Sequence, residues 1–322
     1  MKDKFGRTVD YIRVSLTDRC NLRCIYCMPA RENSFFEEED KITNEEVIKI
    51  IDASAKLGIR KVRLTGGEPL VRKDINELIR EVNNIEGIEE IALTTNAMLL
   101  EERLEFLYEN GVKSLNISLD TLEEEKFKKI TRGGDIRKVL NSIDKALSLG
   151  MKVKINTVVI EDLNKNEILD LVHFTKDKKI ALRFIELMPI GEGKKFKGVS
   201  NEEVLHIIKE SNLAIKVIER NKKDGPAKYI KIENYIGKIG FISAMSNCFC
   251  EDCNRIRITT DGMLKQCLNW KSDINLKKII RKEDDSKLID AIKNGIYNKP
   301  EKYLFNKEDE KEEIRNMNEI GG

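Results

Sequence analysis

The sequence predicts an α/β fold in which a parallel sheet closes around a polar interior. Short β-type runs alternate with helix-type segments through the first two thirds of the chain, as successive strand–helix crossovers require. Five of the predicted strands also carry one apolar and one polar face, whereas a sheet covered by helices on both sides is apolar on both. A doubly wound sheet accounts for the first observation only. A barrel with a polar lumen accounts for both.

In chain order, strands are expected near 11–16, 60–65, 89–95, 113–119, 151–159 and 180–187. Helices fit between them, roughly over 44–57, 74–84, 99–109, 136–149 and 165–175. Thr43-Asn44-Glu45-Glu46 has the form of a capping box for the first helix, and Gly58, Gly111 and Gly150 stand near helix ends.

The strand phases define the polar face. Ile12 and Val14 oppose Arg13 and Ser15, and Val62 and Leu64 oppose Lys61, Arg63 and Thr65. Ile91 and Leu93 oppose Thr94 and Asn96. Leu115, Ile117 and Leu119 oppose Asn116, Ser118 and Asp120, while Val153 and Ile155 oppose Lys154 and Asn156. Beyond residue 195 the alternation weakens: Ser200-Asn201-Glu202-Glu203 can cap a helix, and 229–242 reads as a hairpin turning near Gly237. The charge runs Glu37 to Asp40 and Lys307 to Glu313 read as solvated faces. No internal repeat or low-complexity linker interrupts the pattern.

With 322 residues the chain can form one large domain or two smaller ones. Its 58 basic and 56 acidic side chains leave a formal charge of +2, which makes no general case for binding nucleic acid or a membrane surface. An anion site must come from local clustering of Arg and Lys. Met1-Lys2-Asp3-Lys4 lacks the apolar core of a signal peptide and no apolar run reaches membrane-spanning length, so cytoplasmic residence is expected. In a reducing compartment the seven cysteines are better metal or redox groups than disulfide partners. Three lie between 20 and 27 and four between 248 and 267.

Cys20, Cys24 and Cys27 form C-x3-C-x2-C directly after a predicted strand. Thiolates suit zinc, copper(I) or iron–sulfur clusters. A closed zinc site needs a fourth ligand, and the chain's two histidines, His173 and His206, lie in distant helix-like segments. Three thiolates can instead hold three irons of a 4Fe-4S cluster and leave the fourth open. The run resembles the signature of the radical S-adenosylmethionine (SAM) superfamily. The resemblance implies that Tyr26 packs near the adenine and that the cluster reductively cleaves SAM to methionine and a 5′-deoxyadenosyl radical. Thr65-Gly66-Gly67-Glu68-Pro69, alone only a turn in which glycines let backbone approach a ligand, is similar to the element that holds the methionine part of SAM, through Gly67 and Glu68.

Cys250, Cys253 and Cys267 form a second three-thiol set, C-x2-C-x13-C, which by itself fits a zinc knuckle with Cys248 as fourth ligand. Several elements together resemble the GTP 3′,8-cyclases of molybdenum-cofactor biosynthesis over nearly the full length. These are Asp18-Arg19-Cys20-Asn21 with Tyr26-Cys27-Met28-Pro29, the Arg63 to Leu70 segment, Thr94-Thr95-Asn96, Asn116 to Asp120, the Cys250 segment and the terminal Ile320-Gly321-Gly322. Cys248 falls outside that family's ligand pattern, and Ala97 stands where glycine is common.

The resemblance implies an incomplete TIM-like (βα)6 barrel over 1–220 and a C-terminal region, 221–322, with a second 4Fe-4S cluster whose open iron meets guanine. Ser118 and Met188 match further SAM contacts. Arg13, Lys61, Arg63, Thr94, Lys154, Arg255, Ile256 and Arg257 match GTP-contact positions, with Arg183 as a further candidate. Arg255, Arg257, Gly321 and Gly322 match catalytic positions, the last two on a tail that enters the active site. The implied reaction begins with hydrogen abstraction from ribose C3′ of GTP; the carbon radical attacks guanine C8, and reduction and protonation follow. Implied partners are GTP, an external electron donor, a downstream cyclic pyranopterin monophosphate synthase, and a second copy of the chain in a homodimer for which no segment defines an interface. The rival readings are another radical SAM oxidoreductase with an auxiliary cluster and a non-catalytic iron–sulfur or zinc protein. The Cys250 pattern with Arg255 and Arg257 and the Gly-Gly terminus argue against the first, and the second would not need the Gly66-Gly67-Glu68-Pro69 element or a basic lumen.

Overall fold

The computed structural model describes all residues except 32–34, 220–224, 248, 272–273, 283, 304–314 and 322. Cys248, Gly322, the whole run from Lys307 to Glu313 and the expected domain boundary at 220/221 lie outside the described residues. The chain begins with β1 (Tyr11–Ser15), α1 (Asn44–Lys56), β2 (Lys61–Thr65), α2 (Ile75–Asn83), β3 (Glu90–Thr95) and α3 (Leu104–Glu109). It continues through β4 (Val112–Ser118), α4 (Glu124–Thr131), α5 (Ile136–Ser148), β5 (Lys152–Val158), α6 (Ile168–His173) and β6 (Ile180–Ile185). Then come α7 (Asn201–Glu210), β7 (Ile215–Ile218), β8 (Lys228–Ile232), β9 (Lys238–Ile242), β10 (Arg255–Ile258), β11 (Met263–Lys265) and β12 (Ile274–Asn275). The last helices are α8 (Leu276–Ile280), α9 (Asp285–Tyr297) and α10 (Met317–Ile320).

Local chemistry sets these boundaries. The capping box at α1 forms in full: Thr43 Oγ1 accepts from the Glu46 amide and Glu46 returns a bond to the Thr43 amide. Ser200 caps α7, and the hairpin expected over 229–242 is the antiparallel β8–β9 pair. Helix α4 went unpredicted because it is short and charged, with Phe127 and Ile130 its only buried apolar side chains.

All strands join one sheet in the order β12-β11-β10-β1-β2-β3-β4-β5-β6-β9-β8-β7. The stretch from β10 to β9 is parallel throughout, since β10 pairs with β1 and β9 with β6 in the same sense as the central six. The C-terminal third therefore does more than follow a six-stranded barrel: its strands extend both edges of the same sheet. Among the described residues β9 and β10 do not pair with each other, so the arc stays open.

The alternating phases hold. Ile12, Val14, Val62, Leu64, Leu93, Leu115, Ile117 and Ile155 are fully buried in the core between sheet and helices. Each such side chain contributes about 1.5–3 kcal/mol by burial. The opposite face of all eight parallel strands lines one cavity of about 380 Å³. The lumen is thus polar, with Arg, Lys, Asn and Thr where an ordinary barrel holds Val, Ile and Leu.

Candidate active site

Three backbone supports shape the first cysteine loop. Leu16, Gly67 and Glu68 exchange main-chain bonds with the opposed turn: Leu16 donates to Thr65, Gly67 to Thr17 at 2.5 Å, and Glu68 to Arg19 at 2.9 Å. The C-terminal carbonyls of α4 accept from Arg23 and Ile25. Arg132 then donates to the carbonyls of Arg23 and Met28. The sequence suggested that the two glycines admit a ligand. Their closest constraint is this loop itself, because a Cβ at Gly67 would lie 2.3 Å from the Arg19 oxygen and one at Gly66 2.6 Å from that of Thr17.

Glu68 stands behind the cavity wall. It is buried and does not line the cavity; its carboxylate accepts from the Thr95 hydroxyl and from the amides of Asn96 and Leu70. It therefore positions the Thr94-Thr95-Asn96 turn, whose Asn96 reaches Cys20 Sγ at 3.5 Å. Burial raises Glu68 to about 7. Ala97, next in the chain, has φ +63°, which explains why glycine is common there and why alanine carries strain.

Cys20, Cys24 and Cys27 line the cavity with Tyr26, Gly67, Ser118 and Met188. Burial pushes Cys20 up to about 11, and burial followed by the neighbouring Cys27 and Asp120 charges raises Cys24 well above the thiol range. Tyr26 donates to Asp120 at 2.5 Å, and Asp120 is itself raised by burial to about 6. Asp120 was not among the sequence candidates, although it shares the polar phase of Asn116 and Ser118.

The second thiol set faces the same cavity from the segment around β10. Burial alone would raise the Cys253 thiol. The charges of Lys299 and Arg255, with hydrogen bonds from Arg255, outweigh it and bring the thiol down to about 6.

Between the two sets lies a cationic field fixed by strand register. Arg257, Arg13 and Arg63 are direct partners across β10, β1 and β2. Thr94, Asn116 and Lys154 are partners across β3, β4 and β5, and Asn156 pairs with Arg183 on β6. The field is desolvated and self-repelling. Burial, then Arg257, drives Arg13 well down; burial, then Arg183, Lys61 and Arg63, takes Lys154 to about 7. Lys61 pairs with the Glu90 carboxylate at 2.5 Å. Tyr11, missed from sequence although in phase with Arg13, lies under Lys61 and Arg63 at 5.4 and 5.5 Å.

Ile256 is not brought to the cavity: its side chain is fully buried in the core, on the face opposite Arg255 and Arg257. Gly321 does arrive. Its carbonyl accepts from Arg257 Nη1 at 2.8 Å, while Ile320 packs against Ile190 and Asn318 donates to the Asp18 carbonyl. The tail thus touches both thiol-bearing segments.

The cavity fits anionic and nucleoside ligands on its own chemistry. Nε of Arg63 and Arg183, Oγ1 of Thr94 and Oδ1 of Asn116 are buried without a hydrogen-bond partner among the described residues. Each thiol set offers soft ligands and no histidine. Among the described residues no three His, Cys, Asp or Glu side chains converge as a single metal ion needs, whereas a cubane takes its thiolates at separate corners.

The comparisons agree with this arrangement. The Radical SAM superfamily model matches residues 14–175, and the Molybdenum Cofactor Synthesis C model matches 180–305. The GTP 3′,8-cyclase of Clostridium perfringens (strain 13 / Type A) is 56% identical, with 100% of both chains covered. That of Listeria monocytogenes is 42% identical over 100% of this chain and 99% of its own. Streptococcus suis SuiB bound to S-adenosylmethionine shares the fold, with a TM-score of 0.58 and 17% identity over 81% of this chain and 60% of that one. No helix among the described residues is long and apolar enough to cross a membrane. With a family model over half its length and relatives matched from end to end, the chain belongs to the GTP 3′,8-cyclase family of the radical SAM superfamily.

Proposed function

We propose that this chain converts GTP to (8S)-3′,8-cyclo-7,8-dihydroguanosine 5′-triphosphate in molybdenum-cofactor biosynthesis. The observation that carries this reading is the in-register row Arg257–Arg13–Arg63, set between two three-thiol sites. Cys20, Cys24 and Cys27 would hold one 4Fe-4S cluster, and Cys250, Cys253 and Cys267 a second. When bound, the first cluster and SAM supply a 5′-deoxyadenosyl radical.

The chain's own side chains do the remaining work. Arg13, Arg63, Arg255, Arg257 and Arg183 present guanidinium forks to phosphate oxygens, and Lys61 and Lys154 add point charges. Tyr26, Ser118, Met188 and the Gly67 backbone would seat SAM at the other end of the lumen. Thr94 and Asn116, between the two groups, offer a hydroxyl and a free carbonyl oxygen to ribose hydroxyls. The Gly321 carbonyl fixes Arg257, and the Ile320 plug helps to exclude water from a radical reaction. Catalysis in this reading is orientation and charge stabilisation, with no side chain acting as nucleophile. Residues 1–220 provide the radical-generating loop and most of the cationic lumen, and 221–322 add the second thiol set with Arg255 and Arg257. An external one-electron donor and a downstream cyclic pyranopterin monophosphate synthase complete the sequence.

The test is anaerobic incubation of reconstituted protein with GTP, SAM and dithionite. Formation of 5′-deoxyadenosine with a cyclised nucleotide supports the reading. Bound zinc with no SAM cleavage refutes it.

A further inference from the structure

Lys299, just beyond the end of α9, is 2% exposed. Its Nζ lies 2.6 Å from the carbonyl of Arg255, 2.6 Å from that of Gln266 and 3.8 Å from Cys253 Sγ. A carbonyl cannot donate, and neither can a metal-bound thiolate, so with the site loaded the nitrogen supplies all three hydrogens as an ammonium. Among the described residues Lys299 pairs with no carboxylate, although a buried lysine is rare without a counter-charge.

Arg7, from the N-terminal segment, closes the same region from the other side. It is buried on Asp3 and donates to the carbonyls of Cys250 at 2.8 Å, Pro300 at 2.7 Å and Glu301 at 3.0 Å. Two buried cations from opposite ends of the chain therefore grip the backbone of the second thiol set. At the first set the corresponding contact is made by Arg23, which donates to the Cys20 carbonyl at 2.5 Å and is itself only half-buried.

We propose that Lys299 is the positioning and charge-balancing residue of the auxiliary cluster, complementary to the loaded, negatively charged site and, through the Arg255 carbonyl, to the adjoining nucleotide wall. Arg7 secures the segment that carries it. The inference rests on the assignment of Cys250, Cys253 and Cys267 to a cluster. Each thiolate adds negative charge, and a cation in van der Waals reach favours the reduced, more negative state. Lys299 accordingly sets the reduction potential of this cluster as well as its place.

The experiment is a redox titration, read by electron paramagnetic resonance, of the reconstituted full chain and of its Lys299→Met variant, which keeps volume and removes charge. Iron content and SAM cleavage without GTP are measured on the same samples. In the variant the auxiliary midpoint is expected to fall by at least a tenfold change in the reduced-to-oxidised ratio, about 59 mV for one electron, while SAM cleavage persists. Lower stability with an unmoved midpoint would reduce Lys299 to packing and overturn the proposal. If Lys299→Met does not hold the second cluster, loading decides: Lys299→Arg is expected to hold it and Lys299→Gln to lose it. A Gln variant that loads fully with the unaltered midpoint overturns the proposal. Wild-type protein with a single cluster would instead refute the assignment of the second thiol set.

Discussion

The two thiol sets use the same three ligands in opposite electrostatic settings. At Cys20 and Cys24 burial dominates and pushes the thiols up, with Glu68 adding to it at Cys20 and Cys27 and Asp120 at Cys24. Cys253 sits beside Lys299 and Arg255, and its thiol is pulled down. The contrast matches what each half would meet. SAM carries a sulfonium, which a cation-lined wall would repel. A nucleoside triphosphate carries several negative charges, which the cations around the second set attract. The two sets share their ligand type and differ in the side chains around them.

The largest test of that division is loss of one thiol from each side. Cys24→Ser is expected to abolish SAM cleavage, whereas Cys253→Ser leaves reductive cleavage of SAM but forms no cyclised nucleotide. In each variant iron falls from about eight to about four per chain, as two four-iron clusters imply. Retained SAM cleavage in Cys24→Ser, assayed by 5′-deoxyadenosine release, would erase the distinction.

Next in size is Arg255→Ala. Arg255 is half-buried, and loss of a charge-assisted contact closed over by bound nucleotide costs about 2–5 kcal/mol, so GTP cyclisation should drop on the order of 10²-fold while iron content is unchanged. Unaltered kcat/KM for GTP would remove Arg255 from the nucleotide wall.

A smaller effect concerns protons. In the empty site Lys154 is lowered to about 7, so at pH 8 it is mostly neutral. A bound triphosphate favours the charged form, and GTP binding should then take up close to one proton, about what a single lysine can supply. Affinity should weaken as pH rises above 7. The folded empty protein should gain stability from this group between 7 and the unfolded lysine value, because there the unfolded chain binds the extra proton. Calorimetry of GTP binding in buffers of different ionisation enthalpy gives the uptake directly. A zero slope would show that Lys154 is already charged without ligand.

The smallest effect lies beside the first set. Ala97→Gly relieves a left-handed alanine but adds unfolded-chain entropy, for a net gain of about 0.5–1 kcal/mol. Thermal melting would show it. A loss of stability would mean that the Ala97 methyl, which is fully buried, contributes more by packing than its backbone costs.

Much of this architecture was legible in the sequence because strand phase is a local property. Ile12 and Val14 against Arg13 already separated core from lumen, and the observed strands fall within a residue or two of those expected. The surroundings of Glu68 were not legible. A motif names the residues around a ligand but not which of them touch it, and three donors from Leu70, Thr95 and Asn96 turn this carboxylate inward. Ile256 was misplaced because it was carried along with its neighbours, although period two puts it on the other face. Lys299 and Arg7 were invisible, since nothing local distinguishes a buried cation from the many solvated ones. The addition of β9 and β10 to the two edges of the sheet was equally hidden, because it depends on pairing between distant segments.

That last pairing has a consequence for how the molecule is made. Asp10 and Asn254, which join β1 to β10, are separated by 244 residues. As the chain leaves the ribosome, the edge of β1 has no partner until nearly all of it has emerged. The unpaired edge is a template for intermolecular association, and closure over so long a loop is slow. A chain stopped before Arg255 would keep its radical-generating loop yet expose that edge, so premature termination should yield aggregate rather than a half-functional enzyme.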